Sequence, residues 1–319
     1  MKKLLLLLVL FVISFNTYAA KVLLIHSYHL EYPWVQEYRN GFLAAIDDVS
    51  LVEYEMDTKR KPAHQFPQIA NDAWAFIQEN NPSIVVLADD NALKLLGPRL
   101  IEQKIPIAFL GINSNPRAYI PLTGQVTGVL ERPLMKRSVT MLKKLIPDLK
   151  DVKVMMDNTV TSHAILETSF ENRLMQKISG INIQTVLVST YKQWQVEVRN
   201  SAQQGYQAII IANYAGLKTH ERTIPLNEAS EWTSKFSHIP VFAFWSYSIG
   251  QDKAIGGLII SGLEQGKSAA KKVNLYLRTG EMARITTPQR GTLKFSQHEL
   301  TRWGLKPPKE IEQRGVIKK

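Results

Sequence analysis

The 319-residue chain contains no cysteine. It can form no disulfide, so its stability rests on a packed core, and no thiolate is available as a nucleophile or metal ligand. The lipid-bearing cysteine of a bacterial lipoprotein is missing for the same reason. Beyond the N-terminus there is no apolar run of the ~20 residues that a membrane-spanning helix needs. Acidic residues are fewer than basic ones, 28 against 39, which leaves a net charge of +11. The basic residues are scattered instead of forming one stripe. That argues against a nucleic-acid partner and leaves an unspecific attraction to anionic surfaces. Catalytic and cofactor signatures are also missing. No G-x-S-x-G elbow, P-loop, G-x-G-x-x-G turn after a strand or H-E-x-x-H pair occurs. We therefore expect no enzyme, no cofactor and no metal.

The first residues form a unit of their own. Lys2 and Lys3 precede an apolar stretch, Leu4–Phe15, and Thr17-Tyr18-Ala19 supplies small residues at a cleavage position. This is the pattern of a secretory signal peptide, residues 1–19, removed near Ala19. It predicts export across a bacterial inner membrane to the periplasm. At the other end, residues 306–319 hold Pro307-Pro308 and several Lys and Arg, and read as a solvated basic tail.

The remainder alternates strand and helix. Val22–Ile25 is a continuous apolar run, as in a strand covered on both faces. The helix opened by Pro33 carries Trp34, Tyr38, Phe42 and Ile46 at spacing four. Leu51–Met56, Ser83–Ala88, Ile105–Leu110 and Gln125–Val129 read as strands, with helices after Pro62 and at Asp89-Asp90-Asn91. The order then restarts with a helix after Pro133 and a strand at Val152–Met156. Next comes a helix whose stripe runs through Leu166, Phe170, Leu174 and Ile178. Strands at Asn182–Val188, Ala208–Ala212 and Val241–Phe244 follow, separated by helices. A long helix, Glu264–Arg278, a strand at Thr292–Phe295 and a short helix capped by Ser296 complete the chain. This is the α/β pattern of mostly parallel sheets in two lobes.

Open parallel sheets bind ligands beyond the carboxyl ends of their strands. Those ends hold Ser27 and Tyr28, with Trp34 in the next helical turn; Asp89, Asp90 and Asn91; Asn113; and Glu131. Further along they hold Asp157 and Thr161; Asn213 and Tyr214; and Trp245 and Tyr247. Ser27, Asp90, Asp157 and Thr161 are equally suited to capping helices. Tyr28, Trp34, Tyr214, Trp245 and Tyr247 are candidate walls, and Asn91, Asn113, Thr161 and Asn213 candidate orienting groups. At these ends Asp89, Asp90, Glu131 and Asp157 outnumber Lys and Arg, which favours an amine-bearing or amino-acid-like ligand. His26-x-x-His29 has a metal-like spacing but no third ligand nearby, so it reads as a pair of cleft or core histidines.

In order and spacing several stretches resemble the ABC-transporter substrate-binding protein family with the type I periplasmic-binding fold. They are IHSYHLEYPW at Ile25–Trp34 with Gly41-Phe42; Leu87–Ala92; PIAFLGINS at Pro106–Ser114; Thr127-Gly128-Val129 with Glu131; Pro240–Trp245; Gly256-Gly257; and Gln265-Gly266. The similarity runs from about Lys21 to about Leu305 and is greatest to the subgroup linked to sensor kinases and diguanylate cyclases. It implies two Rossmann-like lobes joined by three crossovers around an interlobe ligand cleft. The first lobe would be 20–131 with 253–281, and the second 132–252 with 282–305. It further implies a small-molecule ligand held by lobe closure and a membrane permease as partner. The alternative partner is the periplasmic domain of a membrane sensor, with signalling as the output.

Overall fold

The computed structural model describes residues 20–287 and 291–318. The expected signal peptide lies outside the described residues. Among those described, no helix is long and apolar enough to cross a membrane.

The first half builds a parallel sheet. Its elements are β1 (Lys21–His26), α1 (Pro33–Leu43), β2 (Ser50–Glu55), α2 (Phe66–Asn80), β3 (Ile84–Ala88), α3 (Asp89–Glu102), β4 (Ile107–Ile112) and β5 (Val126–Leu130). Strand order is β2-β1-β3-β4-β5. Val22–Ile25 and the whole of β3 are fully buried, because helices cover both faces of the sheet. Burying each such side chain stabilises the fold by roughly 1.5–3 kcal/mol.

The second half repeats the plan with α4 (Met135–Leu145), β6 (Asp151–Asp157), α5 (Val160–Phe170), β7 (Met175–Ile178) and β8 (Ile181–Val188). It continues through α6 (Tyr191–Asn200), β9 (Ala208–Ile211), α7 (Leu226–Phe236) and β10 (Val241–Ala243). Its order is β10-β9-β6-β8-β7, with β7 antiparallel to β8. The helical stripe expected through Leu174 and Ile178 stops at Phe170. Glu171 and Asn172 both adopt left-handed backbone, at φ 57°, which ends α5 and turns the chain into the β7–β8 hairpin.

The chain then runs through β11 (Gly256–Ile259), α8 (Gly262–Thr279), β12 (Thr292–Ser296), α9 (Gln297–Arg302), α10 (Lys309–Arg314) and β13 (Val316–Lys318). β11 sits beside β10, with Ile255 N donating to Val241 O and Ile260 N to Phe244 O at 2.7 Å each. Residues 253–259 thus accompany the second lobe, not the first. α8 packs on α1 and against β4 and β5 of the first sheet. The two helices approach closely because Gly266 lies against the Tyr38 carbonyl and Gly41 against that of Leu263, positions where a Cβ would collide with backbone. Thr286 bridges β5, so the chain leaves the first lobe only after that residue. The C-terminal residues are not the solvated tail expected from their charge. Ile311 is buried, Lys144 pairs with Glu310 at 2.8 Å, and β13 extends the sheet by pairing with β12.

Candidate functional site

The carboxyl ends of the two sheets face one another across a cavity of about 1060 Å³. Its first-lobe wall includes Tyr28, Tyr32, Lys59, Phe66, Asp90, Asn91, Ser114 and Tyr119. Its second-lobe wall includes Thr159, Val160, Thr161, Asn213, Gly216 and the stretch from Ile224 to Asn227.

The first-lobe wall is aromatic and carries a cation. Tyr28 and Tyr32 meet edge-on with ring centroids 5.6 Å apart, and Lys59 Nζ lies 4.2 Å from the first centroid and 4.8 Å from the second. Burial and the neighbouring Asp89 raise both tyrosine pKa values well above the usual 10.0. Burial lowers that of Lys59, opposed by the acids Asp89, Asp157 and Glu131. Lys59 and Tyr32 were absent from the residues picked out in the sequence. The signal for Lys59 was present: Asp57-Thr58-Lys59-Arg60 follows β2 directly and therefore lies at the same sheet edge.

Behind this wall stands Asp89, the first residue of α3, with left-handed backbone at φ 69°. That conformation costs about 1–2 kcal/mol in a residue with a Cβ, and Asp tolerates it better than most. Trp34 Nε1 donates to its Oδ1 at 3.0 Å, while Oδ2 is buried and has no hydrogen bond among the described residues. Burial, then the nearby Glu131, pushes this carboxyl well above its usual 3.8. Asn113 Oδ1 is a second buried acceptor with no hydrogen bond among the described residues.

The remaining acids are committed within the fold, which removes the reason given above for an amine-bearing ligand. Asp157 Oδ1 accepts from Thr159 N and Oγ1, Ser162 Oγ and Asn213 Nδ2, and Oδ2 accepts from Gly216 N at 2.6 Å. A carboxylate has about four lone-pair sites, so little capacity remains for a ligand. Asp90 takes the backbone N–H groups of Asn113 and Ser114 at 2.9 and 3.0 Å. Glu131 accepts from Trp245 Nε1 at 2.6 Å and Asn113 Nδ2 at 3.1 Å, and burial pushes its pKa up to about 8.

Of the residues picked out in the sequence, Tyr28, Asp90, Asn91, Thr161 and Asn213 line the cavity. The others do not line it. Ser27 is fully buried and ties β1 to β3 and α3, donating to Ala88 O and accepting from Ala92 N. Trp34, Asp89 and Asn113 form a layer behind the wall. Tyr214 is buried, bonds to Ser248 Oγ at 2.8 Å and packs on Trp194 and Tyr247. Trp245 and Glu131 tie one lobe to the other. So do Ser246 with Glu37, and Thr168 Oγ1 with the Asn113 carbonyl. His26 bonds to Tyr38 and Glu53, and His29 lies 3.3 Å from Asp57, so the two histidines serve different networks.

Two α/β lobes with a cavity at their facing strand ends define a cleft-type solute binder. The family model of the ABC transporter substrate binding protein matches residues 27–294. The chain belongs to that family. Comparison with curated proteins finds no match. Among solved structures, the chain resembles a conserved domain protein from Vibrio cholerae O1 biovar El Tor. Identity is 18%, 94% of this chain and 100% of that one are covered, and the TM-score is 0.65. It also resembles the ligand-free, open structure of a substrate-binding protein with adhesive properties from Clostridium difficile, at 14% identity, 94% and 99% coverage and TM-score 0.67. A third is an ABC domain in complex with L-Trp from Streptococcus pneumoniae, at 13% identity, 94% and 99% coverage and TM-score 0.63. These identities speak to the fold, and the two-lobed fold expected from the sequence is borne out.

Proposed function

We propose that the chain is a periplasmic solute-binding protein that captures a small molecule by lobe closure and presents it to the permease of an ABC importer. The observation that carries this is the cavity of about 1060 Å³ with walls from both lobes, ample for an amino-acid-sized or somewhat larger molecule. In this reading the first lobe is 20–131 with α8 and the segment to Thr286. The second is 132–259 with the chain from 291 onward. Closure buries the solute and shifts an open–closed equilibrium that the membrane partner reads. An amino-acid-like solute fits the cavity, whose walls join aromatic faces to polar groups such as Asn91, Thr161 and Asn213. The N-terminal pattern supports export of the mature protein to the periplasm.

The test is to purify the exported protein without refolding, denature it and identify released molecules by mass spectrometry. Thermal-shift measurements with amino acids, polyamines and nucleosides accompany it. A small molecule recovered unchanged, together with a melting shift on adding it back, is the expected result. Absence of both would refute the proposal. A pull-down that recovers a sensor kinase or cyclase and no permease would replace import with signalling.

A further inference from the structure

We propose that Lys59 is the anchor for an acidic group on the solute, so that the cleft takes a carboxylate-bearing molecule with a flat, apolar body. This deepens the solute-binding reading and rests on it. The ammonium of Lys59 lines the cavity over the faces of Tyr28 and Tyr32. Ring faces attract a cation but offer no strong acceptor, so its three N–H donors lack strong hydrogen-bond partners. Among the described residues it has neither a hydrogen bond nor a carboxylate within ion-pair distance.

The surrounding charges leave this position to a ligand. Asp90, Glu131 and Asp157 are held by donors of the fold. Asp89 is held on one oxygen by Trp34. The neighbouring cation Arg60 is already bound to Asp57 at 2.7 Å, with Glu55 at 3.5 Å and Glu31 at 3.8 Å. A solute cation at the tyrosine faces would have to displace the Lys59 ammonium or lie beside it against like-charge repulsion.

The loop that presents Lys59 is fixed before any solute arrives. Thr58 is buried, its N–H and Oγ1 both donate to Ser27 O at 2.9 and 2.7 Å, and its Oγ1 accepts from Asn91 Nδ2 at 2.9 Å. Met56 N donates to His26 O at 2.9 Å. The side chain one residue on therefore starts from a backbone tied to β1 and α3, which lowers the ordering cost of binding. The flat body follows from the walls, where Tyr28, Tyr32, Phe66, Leu95, Ile224 and Leu226 surround the cavity.

The experiment uses three probes with one body and different charge: phenylpropionate, L-phenylalanine and phenylethylamine. Each is titrated calorimetrically into the wild-type protein, Lys59→Met and Lys59→Arg, with melting curves to show that the variants are folded. We expect the two acid-bearing probes to bind wild type and the amine not to. Lys59→Met should weaken the acids by about tenfold to a hundredfold, the loss of one charge-assisted hydrogen bond, while Lys59→Arg retains most of the affinity. The molecule released from native protein should carry an acidic group. Equal binding of the acids to wild type and Lys59→Met, or release of a molecule without an acidic group, overturns the assignment and leaves solute binding standing. No released molecule and no binding of any probe overturns both.

Discussion

The two faces of the cleft are built from the same kind of strand end, yet they use their polar groups in opposite ways. On the second-lobe face, Asp157 gathers Thr159, Ser162, Asn213 and Gly216 into a closed knot of hydrogen bonds. On the first-lobe face Lys59 lacks a strong acceptor, and behind that face Asp89 keeps one buried oxygen without a hydrogen bond among the described residues. One face is internally satisfied and rigid, and the other is chemically open. On the proposed reading, the contrast gives recognition to the first lobe and the part of a preformed cover to the second. It also shows why counting acids at strand ends misleads: what matters is how many donors each acid already serves.

The knot gives the sharpest way to break this contrast. Asp157→Ala should destabilise the protein by about 3–5 kcal/mol in urea unfolding, because it strands several buried donors at once. A loss below about 1 kcal/mol would mean the second face is no more rigid than the first.

On the first-lobe side, Gly266→Ala should lower stability by about 1–3 kcal/mol, since the new methyl meets the Tyr38 carbonyl and must part α1 from α8. Circular-dichroism melting would show it.

The joint between the faces titrates. Burial holds Glu131 at about 8 against an ordinary 4.5. Between these values the folded protein keeps a proton that the unfolded chain has released. Stability should therefore fall as pH rises from about 4.5 to about 8, and this contribution should level off above. In Glu131→Gln that part of the slope should vanish. A pH series of unfolding curves showing the same slope in both proteins would contradict the assignment.

The smallest effect sharpens the first. Thr161→Ala lies on the same helical turn as Ser162 but outside the knot, and should change stability by no more than about 0.5 kcal/mol.

Much of the scaffold could be read from pattern alone. The apolar runs of β1 and β3 and the spacing-four ridge of α1 each report a local physical requirement. The β7–β8 hairpin was hidden because Leu174 and Ile178 happen to continue a helical period, while the break depends on left-handed backbone at Glu171 and Asn172. The C-terminal packing was hidden because charge dominates its composition and, among the described residues there, Ile311 alone is buried. For the site, strand ends named the correct edge. They did not tell a wall such as Tyr28 from a support such as Trp34 or Tyr214, because that depends on which way each side chain turns after the strand stops.

In the proposed lobe closure, the glycine contact between α1 and α8 sets one of the places where the molecule bends. α8 is clamped to the first lobe almost from its first residue, and Gly262 N bonds to Glu37 Oε2 at 3.2 Å. β11 is fixed to the second lobe up to Ile260. Between two such clamps, Ser261 and its adjoining peptide bonds form a torsion element about one residue long. A swivel so short stores little slack. It therefore favours a defined rotation over a loose swing, and the cap that Ser261 places on Glu264 N lies at its axis.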